Sequence, residues 1–179
     1  LPPQTSDPVT NYGGSECGGT MVEIFYRSCN IPFAQMAVEL GPELMVEGVR
    51  KWGIGEKIPI DLPAPAASNF EKAGSETIDF AQNLPLLAIG GFGQANTTMV
   101  PLHMCMIAAT VANGGRMMAP YVVDATLDQD GGVHNHTEPY AWKTPISAAT
   151  AATMNDLMVG VVNNGTGKAM QLAGGIQAA

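Results

Sequence analysis

Apolar positions recur at helical spacing over most of this chain and turn to alternation in one stretch only. Residues 1–19, with prolines and paired glycines, read as a loop. From Thr20 the pattern changes: Met21, Ile24, Phe25 and Ser28 fall on one helical face, and Thr20 with Glu23 forms the sequence of a capping box. Asn30 then suits the N-cap of a second helix, with Pro32 in its first turn and Phe33, Met36, Ala37 and Leu40 on its apolar face. Gly41 ends that helix, Pro42 opens a third segment, and Gly53 and Gly55 stop it. The triplet Ser28-Cys29-Asn30 is therefore expected at a junction between two helices.

Residues 56–83 hold three prolines and little periodicity, the pattern of a long connection of the kind that carries function or covers a site. A short helical piece is expected over 84–90, then a flexible glycine-rich turn through Gln94. Pro101 to Asn113 is apolar nearly all round and reads as a buried helix, its methionines serving as core filler. Alternation over Tyr121–Leu127 and Val133–His136, separated by Asp-Gln-Asp-Gly-Gly, predicts a strand pair. A last helix should run from about Ser147 to Val162, broken by Asn163-Asn164-Gly165. The order gives an α+β architecture in which helices dominate.

Composition narrows the possibilities. The 179 residues suffice for one domain or a large part of one, and 46% hydrophobic against 13% charged residues excludes a disordered chain. A net charge of -8, spread along the sequence, argues against nucleic acid or an anionic membrane surface as partner. No apolar run is long enough to span a bilayer, so a membrane attachment would lie outside this segment. Cys17, Cys29 and Cys105 match no metal spacing; Cys17 and Cys29 are near enough to be bridged in an exported protein, and a packed reduced thiol is the alternative for each.

Several motifs suggest chemistry without supplying it. His134 and His136 share one strand face and could bind a metal, but no further ligand stands at a recognised metal-site spacing, so an exposed turn-strand segment is the expectation. Gly165-Thr166-Gly167-Lys168 lacks the residue order of a phosphate loop. Lys143-Thr144 is followed by Pro145, which cannot offer a strand N–H, so this stretch reads as an approach to the last helix. Cys29 has no partner histidine, and His103 is accounted for as a polar residue on its helix. Neither a cofactor nor a metal is expected. Ser28 and Asn30 taken alone are ordinary helix-end residues.

Their company changes this. The run GFGQANTTMVPLHMCMIAATVANGG resembles the segment of penicillin-binding proteins in which a Gly-Gln turn precedes a helix ending in Ala-Asn-Gly-Gly. MNDLMVGVVNNGTGKAM resembles the stretch before that family's Lys-Thr-Gly strand, and Ser28-Cys29-Asn30 resembles its Ser-x-Asn motif. Together these cover most of the chain and resemble class B penicillin-binding proteins of the penicillin-binding protein A type. The resemblance implies a penicillin-binding, serine β-lactamase-like transpeptidase fold, with residues 1–179 forming part of that domain. It also implies a serine acyl-enzyme that cross-links peptidoglycan stem peptides and is blocked by β-lactam antibiotics. By the same resemblance Ser28 would relay a proton to the leaving amine, and Asn30 would hold the substrate amide and the lysine of the family's Ser-x-x-Lys motif, whose serine is the nucleophile.

No serine of this chain has a lysine three residues on, and Lys-Thr-Gly is also absent, so the resemblance implies an internal piece whose nucleophile lies elsewhere. A parent on the outer side of the cytoplasmic membrane, working with cell-wall synthesis or division proteins, is the corresponding expectation. The alternatives are a non-catalytic penicillin-sensing or scaffolding relative and a serine β-lactamase or D,D-carboxypeptidase.

Overall fold

The computed structural model describes residues 6–179. Five α-helices carry the architecture: α1 (Met21–Tyr26), α2 (Asn30–Lys51), α3 (Leu84–Gly90), α4 (Pro101–Ala112) and α5 (Ala148–Asn164). Among them lie three two-stranded antiparallel pieces in place of one continuous sheet. These are β1 (Lys72–Ala73) with β2 (Glu76–Thr77), β3 (Met117–Met118) with β6 (Ala141–Lys143), and β4 (Ala125–Leu127) with β5 (Val133–His136).

The N-terminus of α1 is built as its sequence requires: Thr20 accepts from the Glu23 amide, and the Glu23 carboxylate takes the Thr20 amide at 2.7 Å. These bonds hold the Glu23 carboxyl below its ordinary pKa. The helical residues 30–51 are broken at Gly41, whose φ of 81° lies where glycine alone is unstrained, and Pro42 restarts the helix. The last helix begins about where its sequence places it, and Ser147 is its N-cap, accepting the Thr150 amide.

Burial departs from the pattern in two helices. Leu40 is exposed, and the buried residues of α2 are Ala34 and Ala37. The cause is close approach: Gly91, at the end of α3, sits against the Ala37 methyl and the Phe33 carbonyl, where a larger side chain would not fit. α4 is only half buried. His103, Met106, Thr110 and Val111 face inward, while Met104 and Cys105 are exposed, because α5 and β3 cover one face of this uniformly apolar helix.

The interior divides into two clusters. Ile58, Met106 and Met117 pack with Trp52 and Trp142, and Phe70, Phe80 and Leu87 pack with residues of the second half of α2. The connection 56–83 thus delivers core side chains despite its lack of periodicity. At the first cluster His103 is fully buried, its Nε2 2.8 Å from the Trp52 carbonyl and its Nδ1 2.9 Å from Ser68 Oγ. A carbonyl only accepts, so Nε2–H donates to Trp52 and Ser68 O–H donates to Nδ1, while Ser68 accepts from the Val100 amide. The polar histidine of the sequence is a buried structural link. Trp142 and Lys143 are likewise more than an approach to α5: they belong to β6, and Lys143 pairs with Glu56 at 2.6 Å. Among the described residues no helix is long and apolar enough to cross a membrane.

Candidate functional site

α1 ends at Tyr26, with Arg27 as its C-cap, and the chain turns sharply into α2 through Ser28 and Cys29. Ser28 makes the turn with φ of 53°, a left-handed conformation that costs a non-glycine residue about 1 kcal/mol or more. Such a conformation persists only where the surroundings over-determine it, and here both flanks are clamped.

On one flank lies the segment 10–17. Asn11, itself buried, presents Oδ1 to the backbone amides of Asn30 and Ile31 at 2.9 and 3.2 Å. This corrects the expected cap: Asn30 is the first residue of α2 and Cys29 the N-cap position, and a residue 19 positions upstream satisfies the free amides. The Asn30 carboxamide instead donates through Nδ2 to the Thr10 carbonyl at 2.9 Å, which fixes its plane. Arg27 donates to the Glu16 carbonyl at 2.7 Å. Cys17 and Cys29 form a disulfide, with Cα atoms 5.6 Å apart, so the buried middle residue of the triplet is tied covalently to this flank. Of the two states open to Cys29 from sequence, the bridge is the one found.

On the other flank is the loop after α5. The Thr166 amide donates to the Tyr26 carbonyl at 3.0 Å, and Thr166 Oγ1 lies 2.9 Å from Ser28 Oγ. Nothing in the sequence pairs Thr166 with Ser28; the Gly-Thr-Gly run that carries Thr166 lacks the order of a phosphate loop and marks only the stretch after the last helix. Gly165 must be glycine for the approach, since a Cβ there would collide with the Tyr26 carbonyl.

Ser28, Cys29 and Asn30 line a cleft of about 520 Å³ together with Phe25, Phe33, Phe92 and Met158. A hydroxyl that both donates and accepts, next to a carboxamide held at a fixed angle, can orient and shuttle protons there. His134 and His136 are remote from this chemistry. They sit on the exposed β4–β5 hairpin, 3.3 Å from Asp128 and 3.8 Å from Asp124 respectively. Among the described residues no three His, Cys, Asp or Glu side chains converge as a metal site.

The helix-rich fold is that of a penicillin-binding transpeptidase domain. A family model, penicillin binding protein transpeptidase domain, matches residues 2–179, and the chain belongs to this family. The peptidoglycan D,D-transpeptidase PbpA of Mycobacterium tuberculosis is 30% identical over 162 residues, which cover 88% of this chain and 31% of that protein. A structure of penicillin-binding protein A from M. tuberculosis, solved as its penicillin G acyl-enzyme complex, superposes with a TM-score of 0.80 at 28% identity. That match covers 98% of this chain and 38% of that one. The D,D-transpeptidase domain of a peptidoglycan glycosyltransferase from Eggerthella lenta gives a TM-score of 0.82 at 27% identity, over 93% of this chain and 42% of that domain. The chain spans about a third of the length of the curated relatives it matches.

Proposed function

We propose that this chain is part of a serine-type peptidoglycan D,D-transpeptidase in which Ser28 and Asn30 are catalytic. In this reading residues 1–179 are one portion of the transpeptidase domain, and the nucleophilic serine and the Lys-Thr-Gly strand belong to the parent protein outside it. The serine of the Ser-x-x-Lys motif gives its proton to that motif's lysine and attacks the D-Ala-D-Ala peptide carbonyl; the C–N bond breaks and the terminal D-alanine leaves as the amine. The acyl-enzyme then passes its acyl group to an amine of a neighbouring stem peptide, which frees the serine. Ser28 passes its hydroxyl proton to the leaving amine and is reprotonated from the motif lysine. Asn30 holds that lysine and the substrate amide. A β-lactam enters the same acylation step and stays attached.

The observation that carries this reading is Ser28 itself: a non-glycine residue held in left-handed backbone geometry, clamped from both sides where it lines a cleft. The Cys17–Cys29 disulfide supports a location outside the cytoplasmic membrane, since such bonds persist in oxidising compartments. A membrane anchor and contacts with cell-wall synthesis or division proteins would then come from other parts of the parent.

The test is acylation of the full-length parent by a fluorescent penicillin. Ser28→Ala should slow it by about a hundredfold or more, the range of a proton-transfer group, and Asn30→Ala should slow it comparably. Wild-type rates in both variants would reduce these residues to structural roles.

A further inference from the structure

We propose that Thr166 is the positioning residue for Ser28, setting the rotamer and the proton direction of its hydroxyl; the inference rests on the reading of Ser28 as the proton relay. The two oxygens are 2.9 Å apart although 138 positions separate them in sequence. The placement of Thr166 owes nothing to that contact. Its own amide is bonded to Tyr26 at 3.0 Å, and the amides of Gly165 and Gly167 on either side both donate to the Val161 carbonyl at 3.0 Å. The loop is thereby fastened to α1 and to α5 by backbone alone, and the threonine is presented to Ser28 as a preset partner. Its β-branch restricts χ1 and so narrows where Oγ1 can point.

Both side chains are exposed, so water competes for the bond and its contribution to folding is small. Its consequence is directional. A free serine hydroxyl samples three staggered rotamers and any rotation about its C–O bond. Either hydroxyl can donate in this pair; when Thr166 donates, Ser28 keeps its own proton free for another acceptor, and when Ser28 donates, its proton is held on Thr166. The Gly-Thr-Gly run thus has a role that requires no phosphate.

The experiment uses the full-length parent and reads the acylation rate with fluorescent penicillin together with the melting temperature. Thr166→Val, which keeps the shape and removes the hydroxyl, should slow acylation about five- to tenfold, the factor one oriented hydrogen bond supplies. Its melting temperature should be unchanged. Thr166→Ser should recover to within about twofold of wild type. In a Ser28→Ala background, Thr166→Val should add less than about twofold, because Thr166 acts through Ser28. A wild-type rate in Thr166→Val overturns the inference, and so does a double variant slowed by the product of the two single effects. Should valine prevent folding, Thr166→Ala against Thr166→Ser reads the same hydroxyl. Slow acylation in Ser28→Ala with a normal rate in Thr166→Val sinks this inference alone; a normal rate in Ser28→Ala sinks the reading of Ser28 as well.

Discussion

Asn11 Oδ1 accepts the backbone amide of Asn30 at 2.9 Å, and the Asn30 side chain donates in turn through Nδ2 to the carbonyl of Thr10, the residue before Asn11, at 2.9 Å. The proposed catalytic asparagine is therefore held by a loop whose composition promised only turns.

Replacing Asn11 with Ala leaves the Asn30 and Ile31 amides without this buried acceptor. The expected loss is about 1–2 kcal/mol of unfolding free energy in the parent, measured by urea denaturation. Asn11→Asp retains the acceptor at a helix N-terminus but loses the Nδ2 bond to the Ser15 carbonyl, so it should recover only part of that stability. A full-stability Asn11→Ala variant would show that water caps α2 equally well.

The Cys17–Cys29 bond closes a short loop, with a sequence separation of 12, directly beneath Ser28. Loop-closure entropy for such a ring gives about 3 kcal/mol. Cys17→Ser in the parent should lower stability by about that amount and slow acylation, because the Ser28 turn loses one anchor. A non-reducing digest should yield the linked Cys17 and Cys29 peptides; free thiols at both positions would remove the anchor from the account.

The parts that were legible in the sequence are those set by local rules. The capping box at Thr20 and the Gly41-Pro42 break depend on residues within a few positions of each other, and the β4–β5 pairing on two strands joined by a short turn. What was not legible depends on distant partners. No local signal marks Asn11 as the cap of α2, Thr166 as the neighbour of Ser28, or Ser68 and Trp52 as the partners of His103. The connection 56–83 shows no periodicity because its core residues Ile58, Phe70 and Phe80 enter the interior singly, from irregular backbone. The half-covered α4 has a related cause, since an all-apolar helix carries no record of which face its neighbours occupy.

A further long-range contact, made by Asp61, should depend on pH. The Asp61 carboxylate accepts the Val122 and Val123 amides at 2.8 and 2.7 Å, and these backbone bonds hold its pKa below the ordinary 3.8. A carboxyl with a depressed folded-state pKa contributes stability that is fully present above its unfolded value and is lost as pH falls through the folded value. Wild type should therefore exceed Asp61→Ala in urea midpoint at pH 5–7, and the gap should close in acid below about pH 3.8. A gap that persists unchanged to pH 2 would assign the effect to something other than this carboxylate.

Gly160 offers a test of the α1–α5 contact in which two effects of opposite sign compete. Within a helix, Gly→Ala ordinarily stabilises by about 1 kcal/mol. Here a Cβ would overlap the Tyr26 ring and hydroxyl, and overpacking of that kind costs about 1–3 kcal/mol. The steric cost should win, so Gly160→Ala destabilises the parent and loosens the Tyr26 carbonyl that receives Thr166. Removing the obstacle reverses the sign: in a Tyr26→Ala background, Gly160→Ala should stabilise by several tenths of a kcal/mol, since only the propensity gain remains. Urea midpoints of the four proteins in this cycle decide the matter. Destabilisation by Gly160→Ala in both backgrounds would mean that Tyr26 is not what keeps position 160 small.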